Sequence, residues 1–215
     1  MKPSFDDLDQ RAAAAGEALA LLECAGIAEG YAAGDRALKA AAVELLLCRA
    51  VSPGKFLVLF AGAPAAVVPA LRAAIDGLLA PPLDTLLLPQ VESAIVAALC
   101  GRPGADGTLA SGSAGSAAGS AATSAAGIVE GRTVATLLAA CDVALKSAAV
   151  TLHQLRAAVG IGGKAYFVVR GAIGQVESAL AAAAAFAAGH GHPVETALLS
   201  QPDGSLERWL AGGGG

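Results

Sequence analysis

Two halves of the chain carry the same motifs in the same order, and this repeat limits the folds that the sequence can adopt. Between residues 21 and 49 the offset is 107 residues, and after the next loop it is 109, where Gly54-Lys55 matches Gly163-Lys164. The repeat predicts two similar folding units in tandem. The pairs at the offset of 107 are Glu23 with Glu130, Asp35 with Asp142, Lys39 with Lys146, and Arg49 with Arg156.

Composition sets the boundaries of these units. Residues 101–126 consist mainly of Ser, Gly and Ala, which predicts a flexible linker. We therefore place the first domain at residues 17–100 and the second at residues 127–211. Residues 1–16 and the glycines of residues 212–215 are predicted to be loose tails.

Composition also excludes several classes of protein. Hydrophobic residues make up 55% of the 215 residues and the net charge is −4, so a disordered chain is excluded. Gly and Pro interrupt the longest charge-free stretches, and none offers the roughly 20 apolar residues of a membrane-spanning helix. No basic run exceeds one residue, which argues against a nucleic-acid surface. We expect neither a membrane nor nucleic acid as a partner.

The cysteines and the first residues predict a cytoplasmic protein. Aspartates at positions 6, 7 and 9 occupy the place of the apolar core of a secretory signal. The cysteines lack metal-ligand spacing, so reduced and mostly buried thiols are expected. They are Cys24, Cys48, Cys100 and Cys141.

Each unit shows the order strand, helix, two-stranded hairpin, helix, strand. This order predicts an α+β fold, a ferredoxin-like split βαβ unit with a four-stranded antiparallel sheet and two helices on one face. In the first unit we predict strands at 18–24, 43–49, 56–60 and 83–88, and helices at 28–41 and 64–75. In the second unit we predict strands at 128–129, 150–156, 166–169 and 194–199, and helices at 134–148 and 175–188.

The segment from Gly160 to Lys164 has the composition of a phosphate-binding loop, but its context does not. A phosphate loop is followed by a helix, whereas residues 165–169 have the pattern of a strand. We therefore predict a hairpin loop.

Other residue types that support chemistry are also isolated. His190 and His192 have no Cys, Asp or Glu at a typical ligand spacing, which favours a solvated turn. Cys141 has no histidine near it in sequence, and His153 lies in a predicted strand. The pairs Asp35–Lys39 and Asp142–Lys146 have the spacing of exposed helix pairs. We expect no enzyme activity, no metal and no cofactor.

The joint spacing of several motifs resembles the bacterial microcompartment shell domain, present twice. The first copy has Glu23, Asp35-x-x-x-Lys39-Ala40-Ala41-Ala42-Val43-Glu44-Leu45, Ser52-Pro53-Gly54-Lys55-Phe56 and Gly62. The second copy has Ile128-Val129-Glu130, Asp142-x-x-x-Lys146, residues 159–164 and Gly171. In loop sequences the chain is similar to the trimeric, single-layer, non-permuted shell proteins, including the propanediol-utilisation type.

The resemblance implies a structural role and an assembly. The chain would form a homotrimer whose six domains make a pseudohexagonal tile in the shell facet. Its partners would be hexameric and pentameric shell proteins at the tile edges, with encapsulated enzymes as further partners. The edge residues of the family correspond to Lys39 and Lys146.

The same resemblance implies a central pore for small metabolites. Its rim would be the hairpin loops Ser52, Pro53, Gly54 and Gly160, Ile161, Gly162, Gly163. Some similar trimers bind an iron–sulfur cluster through a Cys in the first loop, but Ser52 is a poor replacement for a thiolate, so no cluster is expected.

Two further features leave expectations open. The arginine-containing edge motif that often follows the last strand is replaced by residues 201–205, Gln-Pro-Asp-Gly-Ser. Basic residues flank both loops, which predicts a positive pore, unless their side chains point away or carboxylates from the helices neutralise them. These residues are Arg49, Lys55, Arg156 and Lys164.

A second hypothesis explains the same pattern of strands and helices. Two ferredoxin-like domains could form a soluble sensor or binding protein for a small ligand. A ligand pocket would favour the sensor, whereas a trimer that tiles into sheets would favour the shell protein.

Overall fold

The computed structural model describes residues 18–100, 125–158 and 160–210. The predicted tails and residues 101–124 of the predicted linker lie outside the described residues. In the described part the first domain is an alternation of strands and helices. Its elements are β1 (Ala18–Cys24), α1 (Ile27–Ala40), β2 (Glu44–Val51), β3 (Lys55–Gly62), α2 (Pro64–Asp76), β4 (Asp84–Leu88) and α3 (Ser93–Cys100).

The second domain repeats this order. Strand β5 includes the last two residues of the predicted linker, because Ala125 and Ala126 pair with β7. The elements are β5 (Ala125–Gly131), α4 (Val134–Ser147), β6 (Thr151–Ala157), β7 (Ala165–Gly171), α5 (Ile173–Gly189), β8 (Glu195–Leu199) and α6 (Gly204–Leu210). None of the described helices is long and apolar enough to cross a membrane.

The two predicted helices of each domain are present, and the structure adds α3 and α6 after the last strands, which the sequence did not predict. They contain eight and seven residues. Helices this short are marginal in isolation and depend on tertiary packing. Sequence periodicity over two turns is too short to identify them.

Both sheets are antiparallel with the predicted topology, which confirms the α+β fold. The strand orders are β2-β3-β1-β4 and β6-β7-β5-β8. The first strand of each domain is central, so Leu21 lies opposite Leu59 on one side and Leu86 on the other. Strands β2 and β6 each contain a register shift, at Leu46 and at His153.

Side chains alternate between the two faces of each sheet. In the first sheet, Leu22 and Val58 face helices α1 and α2 in one core. Leu19, Leu21 and Leu57 face the opposite side, where they join a core shared with the second domain. We call this second side the back face of the sheet, and α1 and α2 do not cover it.

Helix α1 lies so close to the first sheet that one position requires glycine. A Cβ at Gly30 would lie 2.1 Å from Cδ1 of Phe56, a side chain with no exposed surface. Phe56 also packs edge-on against Tyr31, with 4.8 Å between the ring centroids. The ring therefore has no free direction in which to move.

We predict that Gly30→Ala lowers the free energy of unfolding by about 3 kcal/mol, because overpacking forces the helix and the ring apart. Gly174→Ala is the matched control, since a Cβ at Gly174 would meet no atom within 4 Å. The control should change stability by less than about 0.5 kcal/mol. Equal stability of the two variants in urea unfolding would contradict the close packing.

Candidate functional site at the domain junction and loop tips

The second domain covers the back face of the first sheet. Helix α4 packs on β1 and β4, and α3 reaches from the first domain to β6. Leu137 and Leu138 of α4 have no exposed surface and belong to the same core as Leu19 and Leu21. The two domains therefore share one continuous hydrophobic core.

A buried carboxylate lies at the centre of this junction. Glu23 ends the row of apolar side chains on β1 and has no exposed surface. Its Oε1 accepts a hydrogen bond from the Ala135 amide at 2.7 Å, and its Oε2 lies 3.2 Å from Lys55 Nζ. Burial raises the pKa of Glu23, while the Ala135 amide and Lys55 oppose the rise.

A second carboxylate of the first domain also caps α4. Asp84 Oδ2 accepts from the Thr136 amide at 3.0 Å and from the Thr136 hydroxyl at 2.6 Å. The first turn of α4 therefore directs its free amides at two carboxylates of the other domain. Negative charge is favourable there because the N-terminal end of a helix carries partial positive charge.

The far end of α4 is also bound to the first domain. Asp142 Oδ1 accepts from the Glu92 amide at 2.9 Å, and Lys146 donates to the carbonyl of Gln90. Asp142 and Lys146 also pair with each other at 2.6 Å. The prediction of an exposed pair was wrong for Asp142, which is 5% exposed. The first-domain pair, Asp35 with Lys39, is exposed as predicted.

The two predicted pore loops lie side by side at the tips of their hairpins. A Cβ at Gly163 would lie 2.6 Å from the carbonyl oxygen of Ser52 and 3.0 Å from Pro53 Cδ. Gly163 has a φ of +72°, so both its backbone conformation and the close approach favour glycine. Lys55 Nζ joins the loops by donating to the Gly163 carbonyl at 3.5 Å.

The remaining rim residues are wholly or partly open to solvent on the single chain. Gly54, Gly160 and Gly162 adopt positive φ, and a Cβ at each would meet no atom within 4 Å. Ser52 and Pro53 are exposed, whereas Ile161 is half-buried. All seven rim residues lack a charged side chain, as the sequence indicated.

Carboxylates neutralise two of the four cations that flank the loops. Lys55 pairs with Glu23, and Lys164 pairs with Glu130. Both carboxylates belong to the central strands of their sheets. The sequence had suggested that carboxylates from the helices could neutralise the cations. Arg49 is exposed, and Arg156 also has an interaction partner. At least two of the four flanking cations are therefore paired, an outcome that the sequence had left open.

A cavity of about 490 Å³ lies beside the loops, between the two domains. The first domain contributes Pro53, Lys55 and Leu83 to its wall. The second domain contributes Gly162, Lys164, His192 and Pro193, together with residues 130–133 and Glu195. Its charges are mixed, because three cationic side chains face two carboxylates.

The isolated candidate residues do not form a reactive centre in the described part of the chain. His190 stacks on Phe186 with 4.0 Å between the rings. Cys141 is buried, and burial raises the pKa of its thiol well above the usual value, which disfavours the reactive thiolate. Among the described residues, no group of three His, Cys, Asp or Glu side chains has metal-site geometry.

Sequence reasoning did not assign the junction roles of Glu23, Asp84 and Thr136. A signal for Glu23 was present, because a carboxylate follows five apolar residues on a short strand. A buried carboxylate needs a partner. The sequence did not identify that partner, since Ala135 contributes only its backbone.

Comparisons with known proteins agree on one family. The model of the BMC domain matches residues 18–98 and 125–202. The bacterial microcompartment shell protein PduT of Citrobacter freundii is 33% identical over 197 residues, covering 92% of this chain and 99% of the relative.

Two solved structures are also similar. A microcompartment protein from Desulfitobacterium hafniense DCB gives a TM-score of 0.72 at 34% identity, covering 90% of this chain and 99% of the other. The fused permuted hexameric shell protein MSM0275 from the RMM microcompartment gives 0.55 at 21% identity, covering 80% and 81%. The second similarity supports the fold alone.

We predict that Glu23→Ala lowers the free energy of unfolding by about 3 kcal/mol, because Lys55 and the Ala135 amide lose their buried acceptor. Glu177→Ala, on the exposed side of α5, is the control and should cost less than about 0.5 kcal/mol. Chemical unfolding of both variants measures the difference. An equal effect would show that the Glu23 contacts do not hold the domains together.

Proposed function

The chain belongs to the BMC-domain family and is a structural shell protein of a bacterial microcompartment, and from this premise we propose that three chains join head to tail. Six similar domains then surround one axis. Such a ring has closed cyclic symmetry, with the same contact repeated three times between chains. The observation that carries the proposal is the different burial of equivalent surfaces in the two repeats.

Helix α1 exposes the positions that α4 buries. Ile27 is 56% exposed and Tyr31 is 59% exposed, whereas their counterparts Val134 and Leu138 are 2% and 0% exposed. Leu38, at 46%, corresponds to the partly buried Leu145. Helix α4 buries this face on the first sheet, so α1 offers an equivalent face for the second sheet of another chain.

The carboxylates that accept hydrogen bonds from the first turn of α4 also have exposed counterparts. Glu130 and Glu195 occupy the positions of Glu23 and Asp84 in the second sheet, opposite each other in the strand pairing. Glu195 is exposed and Glu130 is 40% exposed. These carboxylates would receive the first-turn amides of α1 from the next chain.

The last helix gives the same contrast. Ile95 and Ala98 of α3 are almost fully buried at the domain junction. Leu206 and Trp209, at equivalent positions of α6, are 38% and 53% exposed. Each chain therefore has one complete junction between its own domains. It also exposes the two surfaces that would form a similar junction between chains, one on α1 and one on the second domain.

We predict that Ile27→Asp with Leu38→Asp dissociates the trimer into folded monomers. Burial of each large apolar side chain is worth about 1.5–3 kcal/mol, so the double variant should weaken the trimer at least about a hundredfold. Tyr31 is left unchanged because it packs on Phe56 in the same chain. Light scattering should give three chains for the unaltered protein and one for the variant.

Val68→Asp is the matched control, because Val68 is 42% exposed on α2, away from the proposed contact. The control should remain trimeric. A native chain that stays monomeric at micromolar concentration would contradict the ring.

We propose that the two loops line a central pore for small metabolites, with three copies of each around the axis. The contact between Gly163 and Ser52 supports this role, since it brings both loops to one place. The rim offers backbone amides and the Ser52 hydroxyl as polar groups, and Lys55 and Lys164 are paired behind it. Selection would depend on size and hydrogen bonding more than on net charge.

We propose further that Lys39 and Lys146 lie at edges where tiles meet other shell proteins. Lys39 is 74% exposed and pairs with Asp35 at 2.6 Å, whereas Lys146 is 41% exposed and also binds Gln90. Lys39 is the cleaner test because its change leaves the domain junction intact.

Lys39→Ala should preserve the trimer, since an exposed ion pair contributes little to stability, but should reduce the assembly of sheets. Electron microscopy of assembled protein measures the effect, with Arg72→Ala on the exposed side of α2 as control. If the Lys39→Ala variant forms as many sheets as the native protein, Lys39 is a solvated charge and not an edge contact.

The sensor hypothesis has no support from the relatives, which are the shell protein PduT and a microcompartment protein. The cavity between the domains does not favour it either, because Glu130 and Glu195 in its wall are the carboxylates that the ring directs at the next chain. We propose a structural protein without catalytic activity, in a cytoplasmic compartment whose shell it shares with hexameric and pentameric proteins.

A further inference from the structure

The last helix of the second domain exposes the side that the last helix of the first domain buries. Ile95 and Ala98 of α3 are 0% and 3% exposed, and they belong to the core that the two domains share. Their equivalents on α6, at an offset of 111 residues, are Leu206 and Trp209, which are both exposed. An exposed tryptophan next to an exposed leucine is typical of a surface that binds another protein.

Helix α6 is fixed to its own sheet in an orientation that leaves these two side chains outward. Glu207 of α6 pairs with Arg170 of β7, which is 8% exposed. Trp209 follows Glu207 by two residues, which corresponds to about 200° around a helix. Trp209 therefore lies on the side of α6 opposite to the ion pair. Leu206, three residues before Trp209, shares that side.

The junction inside the chain shows which surface receives such a helix. Helix α3 of the first domain packs on β6, an edge strand of the second sheet. The equivalent edge strand of the first sheet is β2. If chains join head to tail, as in the proposed ring, α6 of one chain meets β2 of the next chain in the same relation as α3 meets β6.

Strand β2 is open where β6 is covered. Gln154 and Ala157 of β6 are 5% and 4% exposed. Their equivalents on β2 are Leu47, which is half-buried, and Ala50, which is exposed. Leu47 lies opposite Leu59 of the back-face core in the strand pairing, so it lies on the back face too. With a leucine in place of the buried amide, β2 is the more apolar of the two surfaces.

The chain enters α6 in the same conformation in which it enters α3. The amide of Ile95 donates to the carbonyl of Glu92 at 2.9 Å, and the amide of Leu206 donates to the carbonyl of Asp203 at 2.9 Å. The same turn therefore precedes both helices. Helix α6 needs no rearrangement of this segment to take the position on a neighbouring domain that α3 takes inside the chain.

The first domain also offers a carboxylate to this segment. Asp142 of α4 accepts from the Glu92 amide at 2.9 Å and so anchors the segment before α3. Its equivalent on α1 is Asp35, whose side chain is 58% exposed. In the ring, Asp35 would lie beside the amide of Asp203 of the preceding chain. A polar contact from α1 and an apolar contact from β2 would then come from the same domain.

We infer that α6 of each chain docks on β2 of the next chain, with Leu206 and Trp209 against the back-face edge at Leu47. This inference rests on the proposed ring and specifies a second contact in it, separate from that of α1. Three copies of this contact surround the axis. Each of them shields a tryptophan that the single chain leaves 53% exposed.

Trp209 is the single tryptophan of the chain, so its fluorescence reports the contact directly. We expect acrylamide to quench Trp209 less in the native trimer than in the monomeric variant Ile27→Asp with Leu38→Asp. A trimer in which Trp209 is quenched as strongly as in the monomer would overturn the docking of α6 and leave the ring intact. A native chain that sediments as a monomer would contradict the ring and, with it, the docking.

Leu47→Asp tests the position of the contact. It should raise the dissociation constant of the trimer at least about tenfold, because the burial of a large apolar side chain is lost, and should increase the quenching of Trp209 in the remaining trimers. If this variant does not fold, Arg49→Asp replaces it, since Arg49 is exposed and lies opposite Leu57 of the back-face core.

Val68→Asp is the matched control, because Val68 is 42% exposed on α2, which covers the other face of the same sheet. The control should keep the native dissociation constant and the native quenching of Trp209. If Trp209 stays as shielded in the folded β2 variant as in the control, α6 docks elsewhere and the inference is wrong.

Discussion

The contact between the first turn of α4 and the carboxylates of the first sheet determines the arrangement of the two domains. Glu23 has no exposed surface, so its charge is tolerable only because Lys55 and the Ala135 amide satisfy it. Removing the second domain would expose this carboxylate together with the apolar face around it. The two domains therefore form one stable body with a shared core.

The repeat extends this arrangement beyond a single chain. Several positions that are buried at the internal junction have exposed counterparts elsewhere in the chain. Ile27 and Glu130 are the clearest examples, since their equivalents Val134 and Glu23 are almost fully covered. Exposed apolar surface rimmed by charge is typical of an interface. The physical chemistry that joins the two domains thus also supports joining one chain to the next.

Differences between the repeats indicate where the domains have separate tasks. The loop of the second domain has three glycines at positive φ, whereas that of the first has one. The last helix is attached by apolar contacts in the first domain and by Arg170 with Glu207 in the second. Buried ion pairs often add little stability compared with apolar packing.

The tandem repeat, the two antiparallel sheets and the family could all be predicted from the sequence, because periodicity and motif spacing can be read along the chain. Predicted element ends lie within three residues of the observed ones. The short last helices, the pairing of Lys55 and Lys164, and the burial of Asp142 depend on tertiary packing and could not be predicted. Asp35–Lys39 and Asp142–Lys146 have the same spacing, yet only one pair is covered. Burial depends on which surfaces meet, and spacing along the chain does not encode that.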